Sequence, residues 1–222
     1  MKRRTLLSWS SGKDSAWTLY QLQQDPEIEL VGLFSTINEE YDRVAMHGVR
    51  VELLNAQAKS IGLPVEIINL PNPCTNEDYE QIMGAFVKKC QVDEIECFAF
   101  GDLYLQDIRD YRIEKLKGTG IEAIFPIWGT PTNTLSKELI NSGVKTVITC
   151  VDSKQIPKEL AGKEYDHIFL NSLPQTADPC GENGEFHSFV YGGPMFKESI
   201  KVSVGETVEK GQFIFADLMP VK

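Results

Sequence analysis

The sequence predicts an α/β protein: a parallel sheet flanked by helices, followed by a smaller α+β domain. Three observations predict it. Over residues 5–128, short apolar runs rich in β-branched and aromatic residues alternate with amphipathic stretches. Runs of that kind separated by roughly 10–15-residue helices are the pattern of βαβ units on a parallel sheet. A polar loop of small residues follows directly on the first run, where such sheets hold their ligands. After Trp128 the texture changes to a loop-rich, β-rich tail.

Taken in order, "TLLSW" (5–9) reads as a strand and "SAWTLYQLQQD" (15–25) as a helix with Trp17, Leu19, Tyr20 and Leu22 spread over one broad face. "IELVGLFSTI" (28–37) is a second strand, and "GVRVELLNAQAKSIG" (48–62) a second helix stopped by Gly62. "PVEIINL" (64–70), "EIECFAFGDL" (94–103) and "IEAIFPIW" (121–128) are the third, fourth and fifth strands. "NEDYEQIMGAFVKKCQV" (76–92) and "IRDYRIEKLKGTG" (108–120) are the helices between them. "GTPTNTLSKELINSGVKTVITCVD" (129–152) adds one helix and one strand, and "VSVGETVEKGQFIFADL" (202–218) a β-hairpin. The domain boundary is expected inside "WGTPTNT", giving domains 1–129 and 130–222.

Bulk properties exclude several classes. The chain has 222 residues, long enough for a substantial core. A formal net charge of −10, with no Lys/Arg cluster, argues against a nucleic-acid partner held through phosphates. No apolar run approaches the ~20 residues of a membrane span. The basic start Met1–Arg4 has too short an apolar sequel for a secretory signal, so a cytoplasmic location is expected. The five cysteines are odd in number and form no CxxC pair, which points to free thiols rather than a disulfide or zinc framework.

Three segments carry candidate chemistry. "SSGKDS" (10–15) stands after the first strand and before the first helix. Unpaired backbone N–H groups and the helix dipole favour an anion there. Gly12 permits close approach, Ser10, Ser11 and Ser15 offer hydroxyls, and Lys13 a cation. The plainer alternative is that Asp14 or Ser15 merely caps the helix. The common P-loop spacing is absent. In "GDLYLQDIRDYRIEKL" (101–116), Asp102 falls at the carboxyl end of the fourth strand, with Asp107, Arg109 and Arg112 at the helix entrance. A carboxylate there suits Mg²⁺ bridging phosphates, and an arginine suits developing negative charge. Surface ion pairs three residues apart are the alternative. "CGENGEFHS" (180–188) packs Glu182, Asn183, Glu185 and His187 between glycines. Neighbouring carboxylates favour a cation between them, although a polar hairpin turn explains the spacing equally. His47 has no local partner and reads as either structural or substrate-facing.

"SSGKDS" resembles the pyrophosphate-binding SGGxDS loop of the adenine nucleotide α-hydrolases, with Ser11 where a glycine is usual. Serine at that place is strained if the backbone needs positive φ. With "MHGVRVELLNAQAKSIGLPV", "FPIWG" and "CGENGEFHSFVYGGPMF" added, the chain resembles the diphthine–ammonia ligase family over nearly its whole length. The resemblance implies an N-terminal HUP-type domain that binds ATP and a C-terminal domain that closes over the substrate. It implies adenylation of a carboxylate, release of pyrophosphate and attack by ammonia to give an amide. On this resemblance Ser10, Ser11, Gly12, Lys13 and Ser15 hold pyrophosphate, with Arg109 and Arg112 also on the nucleotide. Asp14 orders the loop, Asp102 supports Mg²⁺ or ribose, and Glu182 and Glu185 take a cationic substrate group or ammonium. His47, Asn183 and His187 complete the substrate site.

The acid is expected to be protein-borne diphthine, or in a bacterium a different acid, a corrinoid acid being one candidate. Residue 2 is lysine, so no N-terminal nucleophilic cysteine is expected, and nitrogen is expected from free ammonia or a partner. A homodimer is left open. The alternatives are a tRNA-modifying ATP pyrophosphatase of thiolase or lysidine synthetase type, and a non-catalytic nucleotide-binding sensor.

Overall fold

The computed structural model describes residues 1–40, 43–44 and 48–221. In chain order the elements are β1 (Arg3–Ser8), α1 (Lys13–Gln24), β2 (Ile28–Asn38), the short β3 (Arg43–Val44), α2 (Val51–Ile61), β4 (Val65–Leu70), α3 (Asn76–Val92), β5 (Cys97–Ala99), α4 (Gln106–Leu116) and β6 (Glu122–Ile124). They continue with α5 (Thr132–Asn141), β7 (Lys145–Asp152), a 3₁₀ turn (Lys158–Leu160), α6 (His167–Ser172), β8 (Phe186–Gly192), β9 (Val202–Lys210) and β10 (Phe213–Pro220). By their contacts the residues form two compact units. One holds Met1–Ser10, Asp14–Asp42 and Leu63–Gly129; the other holds Ser11–Lys13, Arg43–Gly62 and Thr130–Lys222.

In the first unit five strands run parallel in the order β4-β2-β1-β5-β6. The chain winds from β1 outward through β2 to β4, then returns through α3 to place β5 on the other side of β1. The winding direction therefore reverses between β1 and β5, and the crevice at their carboxyl ends is where open α/β sheets bind ligands. Phenylalanines dominate the core: Phe34 lies 5.1 Å from Phe86 and 5.0 Å from Phe98 between ring centroids. Cys90, Ile95, Leu116 and Ile121 pack round them. α3 starts on a reciprocal cap. The Thr75 hydroxyl accepts from the Asp78 N–H, and the Asp78 carboxylate accepts from the Thr75 N–H.

The expected parallel sheet is present, but the fourth and fifth strands are shorter than the apolar runs that predict them. Phe100 still donates to the Ile124 carbonyl at 3.0 Å. Gly101 then leaves the ladder, and the chain after Ile124 turns at Pro126, which has no N–H to give. The Trp128 N–H closes that turn on the Phe125 carbonyl at 3.1 Å. Apolar residues past the strand ends serve a packed ligand edge rather than the ladder.

The second unit is built on an antiparallel sheet in the order β8-β7-β10-β9, the smaller α+β part the sequence predicts. α2 groups with this sheet. At its start Arg50 forks onto Asp217 of β10, with Nη2 2.5 Å from Oδ2, and that pairing raises the guanidinium pKa still further. At its end the Ser60 hydroxyl donates to the Glu198 carbonyl at 2.5 Å. Gly62 closes α2 in the left-handed conformation, φ 85°. Tyr165, Phe169 and Phe186 form an aromatic cluster, the last two edge-to-face at 5.1 Å.

Candidate functional site

In the first unit the crevice between β1 and β5 is bounded by the start of α1 and by Gly101–Asp102. A Cβ on Gly101 would sit 3.0–3.1 Å from the Asp14 carbonyl group and the Ser15 nitrogen. Only glycine lets the two backbones approach so closely. The crevice thus brings Ser10, Asp14, Ser15 and Asp102 to one edge, and Ser10 and Ser15 share a hydrogen bond of 3.1 Å between their hydroxyls.

Asp102 is engaged on both oxygens. Arg112 Nε donates to Oδ2 at 2.6 Å and Nη2 to Oδ1 at 3.2 Å, while the guanidinium lies 4.2 Å over the Phe100 ring. The fork holds the Asp102 carboxylate in one orientation at the carboxyl end of β5. Arg109, one turn earlier on α4, is placed differently: its guanidinium sits 4.7 Å from the Trp128 ring and 5.4 Å from the Phe125 ring. Asp107 is exposed on the same helix.

In the second unit, loop residues 11–13 meet β8. Ser11 is fully buried, and its backbone has φ 69°, the strained option for a residue carrying a Cβ. Its carbonyl accepts from the Val190 N–H and from Gln57 Nε2, each at 3.0 Å. The same Gln57 nitrogen donates to the Val190 carbonyl at 2.6 Å. The Lys13 N–H donates to the Ser188 hydroxyl at 3.3 Å, and the Lys13 ammonium lies 5.5 Å over the Phe186 ring. Ser11 and Lys13 are thereby pinned to the strand that follows "GENGE", with Gly12 between them.

Within that segment the two carboxylates differ. Glu185 is 1% exposed and turned onto its own loop. It accepts from the Asp178 N–H at 2.7 Å, the Asn183 N–H at 2.9 Å and Asn183 Nδ2 at 3.1 Å. Glu185 as a direct ligand of a substrate cation does not fit, since its oxygens are buried and already used. Glu182 is half-buried, Asn183 exposed and His187 half-buried on β8, so these side chains keep access. Asp178 orders the turn from the other side, accepting from the Cys180 and Glu182 N–H groups and from the Thr132 hydroxyl. Gly181, at φ 74°, would carry a Cβ only 2.9 Å from the Phe186 carbonyl oxygen. Cys180 is buried with its thiol on the Thr132 carbonyl at 3.5 Å, and burial pushes the Cys150 thiol up to about 12. His47 lies outside the described residues.

Reasoning from sequence missed Gln57, Gly101, Asp178 and Ser188. Gln57 had a signal: it is a polar residue inside the buried α2 stripe of Leu53, Leu54, Ala58 and Ile61. Asp178 and Ser188 act through contacts that no local pattern reveals.

The comparisons agree with this layout. Residues 2–121 match the family model for the diphthamide synthase N-terminal domain, and residues 131–218 match that for its C-terminal domain. The chain is 24% identical over 229 residues to the diphthine–ammonia ligase of Bos taurus, covering 93% of this chain and 85% of that protein. It is 23% identical over 229 residues to the one of Homo sapiens, with the same coverage. For the one of Schizosaccharomyces pombe the identity is 25% over 221 residues, covering 90% of this chain and 36% of that protein. A solved U34-tRNA thiolase from Methanococcus maripaludis superposes with TM-score 0.39 at 13% identity, covering 62% of this chain and 57% of that one, too loosely to bear on fold or chemistry. Both halves of the molecule thus match one family in the right order, and the chain belongs to the diphthamide synthase, or diphthine–ammonia ligase, family.

Proposed function

We propose that the protein is an ATP-dependent ligase that adenylates a carboxylate, releases pyrophosphate and transfers ammonia to give an amide. The observation that carries this reading is the crevice between β1 and β5, where the start of α1 meets Gly101 at backbone contact. Peptide N–H groups at such a helix start favour an anion, and Ser10 and Ser15 add hydroxyls. ATP supplies the good leaving group that a carboxylate, a poor electrophile, lacks. Ser10, Ser11, Gly12, Lys13 and Ser15 hold the departing pyrophosphate, and Asp14 keeps the loop in register on α1. Asp102, steadied by Arg112, would support the ribose or a Mg²⁺ ion on the nucleotide phosphates. Glu182, Asn183 and His187 receive the acid and the ammonium, and Glu185 holds their loop in shape. The names of the relatives support diphthine, a protein-borne acid, as the substrate, and a cytoplasmic location accords with that reading.

The test is pyrophosphate release from ATP with Mg²⁺ and ammonium across candidate carboxylates, including diphthine-bearing elongation factor and corrinoid acids. A Ser10→Ala/Asp14→Ala double variant is expected to stay folded and lose turnover. Release that needs tRNA instead of an acid and ammonium would refute the ligase reading. ATP held unchanged with every acid would make the protein a nucleotide sensor.

A further inference from the structure

Arg109 and Arg112 lie three residues apart on α4 and carry the same charge, yet their surroundings differ. Arg112 has its Asp102 partner on two hydrogen bonds. Among the described residues Arg109 has no carboxylate partner. Its guanidinium carbon lies 4.7 Å from the Trp128 ring and 5.4 Å from the Phe125 ring, two rings that meet each other edge-to-face, and its Nε is sealed from solvent without an acceptor. The Nη groups are not sealed in that way. A guanidinium packed against aromatic rings loses rotational freedom while its outer edge keeps the fork geometry that matches an oxyanion. Desolvation of Nε adds to the pull on an incoming negative group.

The place of this group matters. Phe125 and Trp128 follow β6, and α4 follows β5, so Arg109 stands at the same carboxyl edge as Ser10 and Ser15. β6 and β1 flank β5, two interstrand spacings or about 10 Å apart, a distance that one nucleotide or acyl-nucleotide spans.

We propose that Arg109 is a preset clamp for an oxyanion, either the carboxylate to be activated or a phosphate of the nucleotide, and that Arg112 is a positioning residue that acts through Asp102. The proposal rests on the ligase reading for the identity of the oxyanion, though not for its charge. Lysine does not replace Arg109, because an ammonium presents no planar fork to an oxyanion.

The experiment titrates wild type, Arg109→Gln, Arg109→Lys and Trp128→Leu with MgATP, inorganic pyrophosphate and benzoate by calorimetry, with a thermal melt of each variant. Arg109→Gln is expected to weaken at least one probe tenfold or more at an unchanged melting temperature. Arg109→Lys should fail to restore it, and Trp128→Leu should weaken the same probe to a smaller extent. Loss on MgATP and pyrophosphate identifies a phosphate; loss on benzoate alone identifies a carboxylate. The Arg109 Nε–H resonance of the wild type is also expected to shift with that probe, a readout that depends on no variant. Unchanged affinity for every probe in Arg109→Gln overturns the clamp, as does a wild type that binds none of the three. A wild type that binds benzoate through Arg109 but not MgATP sinks the ATP reading and leaves the clamp standing.

Discussion

Ser11 concentrates the tension between sequence and backbone. Its φ of 69° is the shape a glycine takes without cost, and a residue with a Cβ pays about 1–2 kcal/mol to hold it. Its hydroxyl is buried and finds no acceptor among the described residues, so the side chain returns nothing in hydrogen bonding. What holds the strain is the carbonyl, fixed by Val190 and Gln57. Ser11→Gly should therefore stabilise the protein by on the order of 0.5–1 kcal/mol, the relieved strain less the greater chain entropy of unfolded glycine. Urea unfolding measures this, and a lower midpoint in the glycine variant would show that φ at residue 11 carries no strain. Glu185 makes the opposite case, a charged residue whose contacts all face inward. Glu185→Ala should lose on the order of 2 kcal/mol, because buried donors lose their acceptor, whereas Glu185→Gln keeps the shape and one acceptor oxygen and loses less. Equal stabilities of the two variants would mean that the carboxylate does not order the loop. The sequence contains both residues in suggestive company, but nothing in "GENGE" says which glutamate turns inward. That is decided by Asp178, which lies seven residues before Glu185.

Helix α3 shows how a local pattern can be complete in itself. "TNED" writes the reciprocal cap, and the structure forms it. The Asp78 carboxylate accepts from the Thr75 hydroxyl and N–H, and these two bonds hold its pKa below the ordinary 3.8. A carboxylate with a depressed folded pKa contributes stability that is present above its unfolded pKa and lost as pH falls through the folded one. The cap is thus fully effective at neutral pH and fails only in acid, below about pH 4. Asp78→Asn should lower the midpoint at pH 7, with a deficit that shrinks as pH falls below about 4. A deficit that does not shrink in acid would assign the effect to something other than the charged form. The strands at the ligand edge were legible only in part. Apolar runs at 94–103 and 121–128 do mark β5 and β6, but periodicity cannot tell a residue in the ladder from one packed past its end. Phe125 and Trp128 are of the second kind: they lie against the Arg109 guanidinium. Asp102 was legible because a strand end fixes its place; its partner was not, since Arg112 reaches it from a full turn and more along α4.

Contacts divide the molecule differently from chain order. α2 lies between β2 and β4 of the first sheet in sequence, yet it groups with residues 130–222, as do Ser11–Lys13. The antiparallel sheet then depends on groups outside its own stretch of chain. Asp217 of β10 needs Arg50, the Glu198 carbonyl takes the Ser60 hydroxyl, and Val190 of β8 exchanges hydrogen bonds with Ser11 and Gln57. Ile214, Ala216 and Leu218 of β10 are all buried and belong to the sheet that α2 joins. Removing residues 1–129 strips away the partners of Asp217, Glu198 and Val190 together. Losing several buried hydrogen bonds and a helix face at once costs several kcal/mol, comparable to the whole stability of a small domain. A 130–222 fragment expressed alone should therefore lack native near-ultraviolet circular dichroism and show collapsed amide dispersion in ¹⁵N spectra. Mixing it with a 1–129 fragment should restore both signals, because the second fragment returns Ser11, Arg50, Gln57 and Ser60. Well-dispersed spectra from the isolated 130–222 fragment would show that the antiparallel sheet is self-sufficient and that α2 is only an accessory to it.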